Sequence, residues 1–215
     1  MGVRHSAAVG ARDQADPGQL GAGRVGAGAG DSRPQSGESR RIPQATNPCS
    51  GNRDVNLPSE RLSDLGLSLP PVVPPAAAYL SAVRFGDLVY TAGQVPIADG
   101  TLRAAGKVGA EVSIEDAVDC ARIAALNALA AVVDLTGDVD VITRIVKATI
   151  YIASAPDFSD QSLVGNGASD VLVEIFGDAG RHARSAVGVA ALPINAPVEV
   201  ELVVAVGSTP TIHPL

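Results

Sequence analysis

The chain has 215 residues, 46% of them apolar but only 3% aromatic, and a formal net charge of −7. That length suits one ordinary domain or two small ones, with a core built from Val, Ala, Leu and Ile. The acidic balance argues against a nucleic-acid partner or an anionic membrane surface, both of which want a basic face, and the absence of any run of 18 apolar residues argues against a membrane span.

Residues 1–57 are rich in Gly, Ser, Gln, Pro and Arg and carry neither helical nor strand periodicity. They have too few large aliphatics to offset the entropy of ordering and are expected to be disordered. The string Gly21-Ala22-Gly23-Arg24-Val25-Gly26 fits G-x-G-x-x-G. It lacks the preceding strand and following helix that a dinucleotide site needs, so no nucleotide is assigned to it. The composition is also what translated upstream DNA tends to give, which makes Val55 a candidate start. An intact mass of the native protein checks that expectation. Arg4 and His5 precede no apolar run, so no secretory signal is read and a cytoplasmic location is expected. Cys49 and Cys120 lie in unlike segments without metal-ligand spacing and are expected to be free thiols.

Order begins near Ser59. Residues 58–78 are read as a short helix, Ser59 to Leu67, followed by an extended proline-rich linker, Pro70 to Pro75. Residues 79–207 are read as the main domain and 208–215 as a frayed tail. Tyr79–Arg84 and Leu88–Ala92 are β-prone runs joined by the turn signal Phe85-Gly86-Asp87, hence a hairpin. Ile97–Ala110, with three glycines, reads as a long loop. Ser113–Thr136 is the clearest helix, started by Ser113 and Asp116 and stopped by Gly137. Val141–Ala153 is a strand rich in Val, Ile and Thr. A second long helix is placed at Phe158–Phe176, with Gly165 and Gly167 weakening its middle. Two strands close the pattern, Ser185–Ala190 and Val198–Val206. The order β-β-α-β-α-β-β gives an α+β fold with both helices on one face of the sheet and right-handed crossovers. The other face has no cover within the chain, so burial against other subunits is expected.

Chemistry concentrates near the end of the chain. Gly180–Pro193, GRHARSAVGVAALP, puts Arg184 at the start of a short apolar segment, and VEVELVVAV follows with Glu199 and Glu201 on one strand face. An arginine fork can clamp a small carboxylate, and a glutamate beside it can hold and activate a water. The plain alternative is a salt bridge between Arg184 and Glu199 or Glu201, or glutamates that are merely solvated or paired across a subunit boundary. His182 is either a proton-transfer group or a surface or interface histidine. Cys120 lies on a helix that faces the sheet or its rim and is read as a structural thiol rather than a nucleophile. No metal cluster and no Ser-His-Asp set is legible.

LVYTAGQVP (Leu88–Pro96), ARIAALNALA (Ala121–Ala130), IVKATIYIA (Ile145–Ala153), ARSAVGVAALP and VEVELVVAV together resemble the RidA family, also called YjgF and often labelled endoribonuclease L-PSP. The resemblance spans about Tyr79 to Val206. It implies a chorismate-mutase-like fold and homotrimers, with sheets forming an inner barrel and ligand clefts between subunits. It implies a cofactor-free deaminase that hydrolyses reactive 2-imino and 2-enamino acids to 2-oxo acids and ammonia. The family's carboxylate-binding arginine falls on Arg184 and its water-positioning glutamate on Glu199. Gly93 matches the turn glycine beside the ligand, and Tyr79 and Asn166 fall near its cleft tyrosine and asparagine. Ala186 stands where many members carry a cysteine, at a position used through its backbone. Gly100–Ser113 and Gly165–His182 are longer than in the deaminase members, as in a longer branch. A ligand-binding trimer without turnover and an endoribonuclease are the alternative functions.

Overall fold

The computed structural model of the protein describes residues 56–72 and 77–207. The tail up to Val55 with its glycine string and Cys49, the linker residues 73–76 and the residues after Gly207 lie outside the described residues. α1 (Pro58–Asp64) starts on a proline, whose missing N–H is one of the unpaired donors of a first turn. It is shorter than expected, because Leu65 caps it and Gly66 turns the chain at φ 65°. α1 buries Leu62, and the Ser59 backbone N and Oγ donate to the Asp140 carboxylate at 2.9 and 2.6 Å.

β1 (Ala82–Phe85) and β2 (Leu88–Thr91) form the expected hairpin, with Gly86 at φ 60°. β1 starts three residues later than expected, since residues 77–79 form a bend. The long loop expected at Ile97–Ala110 contains a small hairpin instead, β3 (Ile97–Ala98) against β4 (Thr101–Leu102). Its turn is Asp99-Gly100, both at positive φ, a pair that suits the tightest hairpins. Two-residue strands are too short for alternation to reveal them.

α2 (Ile114–Thr136) is capped by Ser113, whose Oγ accepts from the Asp116 backbone N at 3.0 Å, and ends on Gly137 at φ 84°. β5 (Ile142–Ala153) leads through Asp160 into α3 (Gln161–Phe176), three residues later than expected. β6 (Ala183–Val189) and β7 (Val198–Val206) follow. The sheet order is β1-β2-β7-β5-β6, with β5 and β6 parallel around α3 and the other neighbours antiparallel. The fold is therefore α+β with a mixed sheet.

α2 and α3 pack on each other and on one face of this sheet. The centre of that face is apolar: Ile145, Ala148, Ile150 and Ile152 of β5 and Val198, Val200, Leu202 and Val204 of β7 are buried against Ala121, Ala125, Ala128 and Leu129 of α2 and Val164, Ala168 and Val171 of α3. Each buried Val, Leu or Ile contributes about 1.5–3 kcal/mol. The alanines bring the helices close. Gly167 goes further: a Cβ there would strike the Val118 carbonyl of α2. The glycines in α3 thus serve close packing, at the propensity cost that a mid-helix glycine carries.

Register places the alternate residues on the opposite face. Val83, Phe85, Tyr90, Val203, Glu199, Glu201, Thr149, Tyr151 and Val187 share it, and no described element covers it. Phe85 is 80% exposed.

Candidate functional site

Arg184 sits inside β6, opposite buried Ala148 of β5, so its side chain emerges on the helix face of the sheet. β6 is an edge strand, which leaves the side chain free to lie along α3. Its Nη1 donates to Asn166 Oδ1 at 2.9 Å and to Ser169 Oγ at 3.1 Å, and its Nη2 donates to the Ser162 carbonyl at 3.3 Å. A guanidinium has five N–H donors. Three are held by α3, and Nε–H and one Nη2–H have no partner among the described residues. The fork is thus oriented but not exhausted, and the residue is exposed. Gly165 makes the fit possible, because a Cβ there would press on Ala186 at 3.2 Å and on Arg184 Nη1 at 3.5 Å. Arg184, Asn166 and Ala186 are therefore brought together.

His182 extends this cluster. Its Nδ1 lies 2.6 Å from the Gly180 carbonyl and its Nε2 3.2 Å from Ser169 Oγ. Burial pushes its pKa below the ordinary value; the Arg184 charge acts the same way, against the Gly180 hydrogen bond.

Glu199 lies on the uncovered face, directly opposite Tyr151 in the β5–β7 ladder. Gln94 and Val200 exchange two backbone hydrogen bonds of 2.9 Å, which pins the turn after β2 to β7. That turn lays the bare Gly93 Cα against the Glu199 carboxylate, where any Cβ would collide with it. Asn127 of α2 holds the same turn from behind, its Nδ2 donating to the Val95 and Ile97 carbonyls at 2.9 and 3.0 Å. The Glu199 carboxyl is raised above its ordinary pKa, first by burial and then by the charge of Glu201. Glu201 accepts a 3.0 Å hydrogen bond from the Tyr151 hydroxyl, whose own pKa is raised by burial and by that bond.

The two clusters do not meet within one chain. β5 separates β6 from β7, and Arg184 and Glu199 project from opposite faces of the sheet. No ion pair joins Arg184 to Glu199 or Glu201 among the described residues. Tyr79 is 57% exposed, in the bend before β1, with no side-chain hydrogen bond among the described residues. A cavity of about 540 Å³ lies elsewhere, between Ser68–Val72, the β3–β4 region and the Ile123, Leu126 and Asn127 stripe of α2; neither Arg184 nor Glu199 lines it. Cys120 is fully buried, its thiol pushed up to about 11 by burial. No group of three or more His, Cys, Asp or Glu among the described residues is placed to hold a metal ion.

Sequence reasoning missed Ser162, Ser169 and Tyr151. The first two carried a signal. Ser162, Asn166 and Ser169 are small polar residues at helical spacing, on one face of the helix. Tyr151 carried none beyond its place in a strand.

Residues 59–206 match the family described as "YjgF/chorismate_mutase-like, putative endoribonuclease". The chain is 40% identical over 144 residues to protein TCP17 of Trypanosoma cruzi, covering 66% of this chain and 90% of that one. It is 31% identical over 126 residues to the RutC family protein y4sK of Sinorhizobium fredii, covering 59% and 85%. The crystal structure of Atu1372, a protein of unknown function from Agrobacterium tumefaciens, superposes with a TM-score of 0.65 at 39% identity, covering 71% of this chain and 95% of that one. With a match that takes in every strand and helix of the sheet domain, the chain belongs to the YjgF, or RidA, family.

Proposed function

We propose that the protein is a deaminase that hydrolyses small 2-imino or 2-enamino acids to 2-oxo acids and ammonia, in clefts formed between three copies of the chain. The observation that carries this reading is the pair of unpaired Arg184 donors, oriented by three neutral acceptors. A cation with no counter-ion among the described residues is a seat for a carboxylate, and a planar fork suits its two oxygens. Glu199 supplies the second half. In its ionised form it takes a proton from water as the oxygen adds to the C=N carbon. The C=N electron pair moves to nitrogen, which receives that proton back to give a carbinolamine; the carboxylate then carries the hydroxyl proton to nitrogen as ammonia leaves and the carbonyl forms. Backbone groups at Gly93 and Ala186 line the cleft, with Asn166 and Tyr79 at its walls. Imines hydrolyse readily, so holding the substrate beside an oriented water is most of the task.

Two features support a trimer. The uncovered sheet face carries Val83, Phe85, Tyr90, Val187 and Val203, an apolar surface that a second copy would bury. Arg184 and Glu199 also need different copies in order to face one another. A coupled assay that generates 2-iminopropionate and 2-iminobutyrate by amino-acid oxidation tests the reading. Faster release of 2-oxo acid is expected from a species that sediments as a trimer. Unchanged imine decay, or full activity in a monomer, would refute it. Melting raised by a 2-oxo acid without turnover would point to a binding protein instead. Against the endoribonuclease name stands the net charge of −7, the wrong sign for a polyanion.

A further inference from the structure

We propose that Ser169 and His182 form a directional hydrogen-bond relay whose task is to aim Arg184, making both of them positioning residues for the carboxylate seat. The inference rests on the reading of Arg184 given above. A backbone carbonyl can only accept, so the Gly180 oxygen, 2.6 Å away, requires the proton on His182 Nδ1. A neutral imidazole with Nδ1–H has a bare Nε2, which can only accept. The Ser169 hydroxyl, 3.2 Å from Nε2, must then donate to it. With its single proton committed, Ser169 Oγ turns its lone pairs to Arg184 Nη1 at 3.1 Å. Each bond in the chain decides the direction of the next.

The consequence is rotational. Asn166 Oδ1 and Ser169 Oγ both accept from Nη1, and together they fix the plane of the guanidinium against α3. Its two remaining donors therefore point away from the helix. A serine whose proton was free to turn would offer Arg184 a donor part of the time and lose that hold. Burial of His182 and the neighbouring Arg184 charge favour the neutral imidazole that the chain of bonds requires. The short polar stripe on α3 and the otherwise unexplained His182 in the GRHARSAVG stretch thereby acquire one shared purpose.

The test uses the full-length protein with pyruvate as the probe. Ser169→Ala and His182→Phe are each expected to weaken pyruvate binding about 10- to 150-fold, the range for one lost hydrogen bond to a charged group. The double variant is expected to bind no worse than the weaker single, because both break one chain. Ser169→Thr keeps the hydroxyl and should stay within about twofold of the parent. In turnover, the losses should fall mainly on KM. Additive losses, or a folded His182→Phe protein that binds pyruvate normally, would overturn the relay. Nitrogen-15 imidazole spectra, assigned by the signal that His182→Phe removes, give a readout independent of pyruvate. They should show the Nδ1–H tautomer, and the Arg184 side-chain N–H groups should exchange faster in Ser169→Ala. The opposite tautomer or unchanged exchange overturns the relay. A parent protein that binds no pyruvate but passes both spectral tests would instead sink the carboxylate-seat reading while leaving the relay standing.

Discussion

The cluster around Arg184 and the cluster around Glu199 are built on opposite principles. Arg184 is held by neutral groups from one helix, Asn166, Ser169 and the Ser162 carbonyl, so its charge is steered without being cancelled. Glu199 is half-buried beside a second carboxylate and a bare glycine, so its charge is opposed by its surroundings. The first arrangement favours binding an anion. The second raises proton affinity, which is what a group that must take and return a proton needs. The two clusters also lie on opposite faces of the same sheet, so the proposed mechanism needs both of them from different copies.

Changes that break the contrast outright should have the largest effect. Arg184→Ala removes both free donors, and loss of two charge-assisted hydrogen bonds predicts about a 100- to 10,000-fold drop in kcat/KM for imine hydrolysis, with the fold retained by circular dichroism. Retained activity would dissociate the reaction from this cluster. Next comes Glu199→Gln, which keeps the shape but not the base. A fall of about 100-fold or more in kcat with little change in KM is expected. In the parent, activity should rise with pH as Glu199 ionises, along an acid limb above the ordinary carboxylate range, because its pKa is raised. The same raised pKa means the folded state holds this proton more tightly than the unfolded state does. Its contribution to stability is therefore present below the unfolded pKa and lost as pH rises through the folded one.

Gly93→Ala sharpens the comparison from the backbone side. The new Cβ strikes the Glu199 carboxylate, a flexible end that can swing aside, so about a tenfold loss of kcat is expected with a melting temperature near the parent's. A fully active Gly93→Ala protein would show that the position of Glu199 is unimportant. The smallest effect is expected from Glu201→Gln. It removes the second-ranked cause of the raised Glu199 pKa and moves the acid limb toward lower pH while leaving the plateau rate close to the parent's. A limb that stays put would assign the shift to burial alone.

Much of this architecture could be read from residue order. The helix at Ser113–Thr136 announced its own cap and stop, and VEVELVVAV announced a strand with one face apolar and one carrying carboxylates. Periodicity reports burial, and these elements are half-buried along their length. Arg184 and Glu199 stood out for the same reason: each is a charge set in an apolar run. Elements whose cause is local but brief escaped, such as the Asp99-Gly100 hairpin with its two-residue strands.

What the linear order could not decide is which face each side chain takes relative to strands that are not its chain neighbours. β7 follows β6 in sequence but is inserted between β2 and β5, so Arg184 and Glu199, 15 positions apart by their numbers, end on opposite sides of the sheet. The support of Arg184 by Ser169 and its link to His182 were equally hidden, because they depend on how far α3 slides along β6. Gly165 sets that approach to β6, and Gly167 sets the approach of α3 to α2, each where a side chain would otherwise press on its neighbour. Local preference is written residue by residue; the meeting of distant groups is settled by packing, which acts only once the elements are assembled.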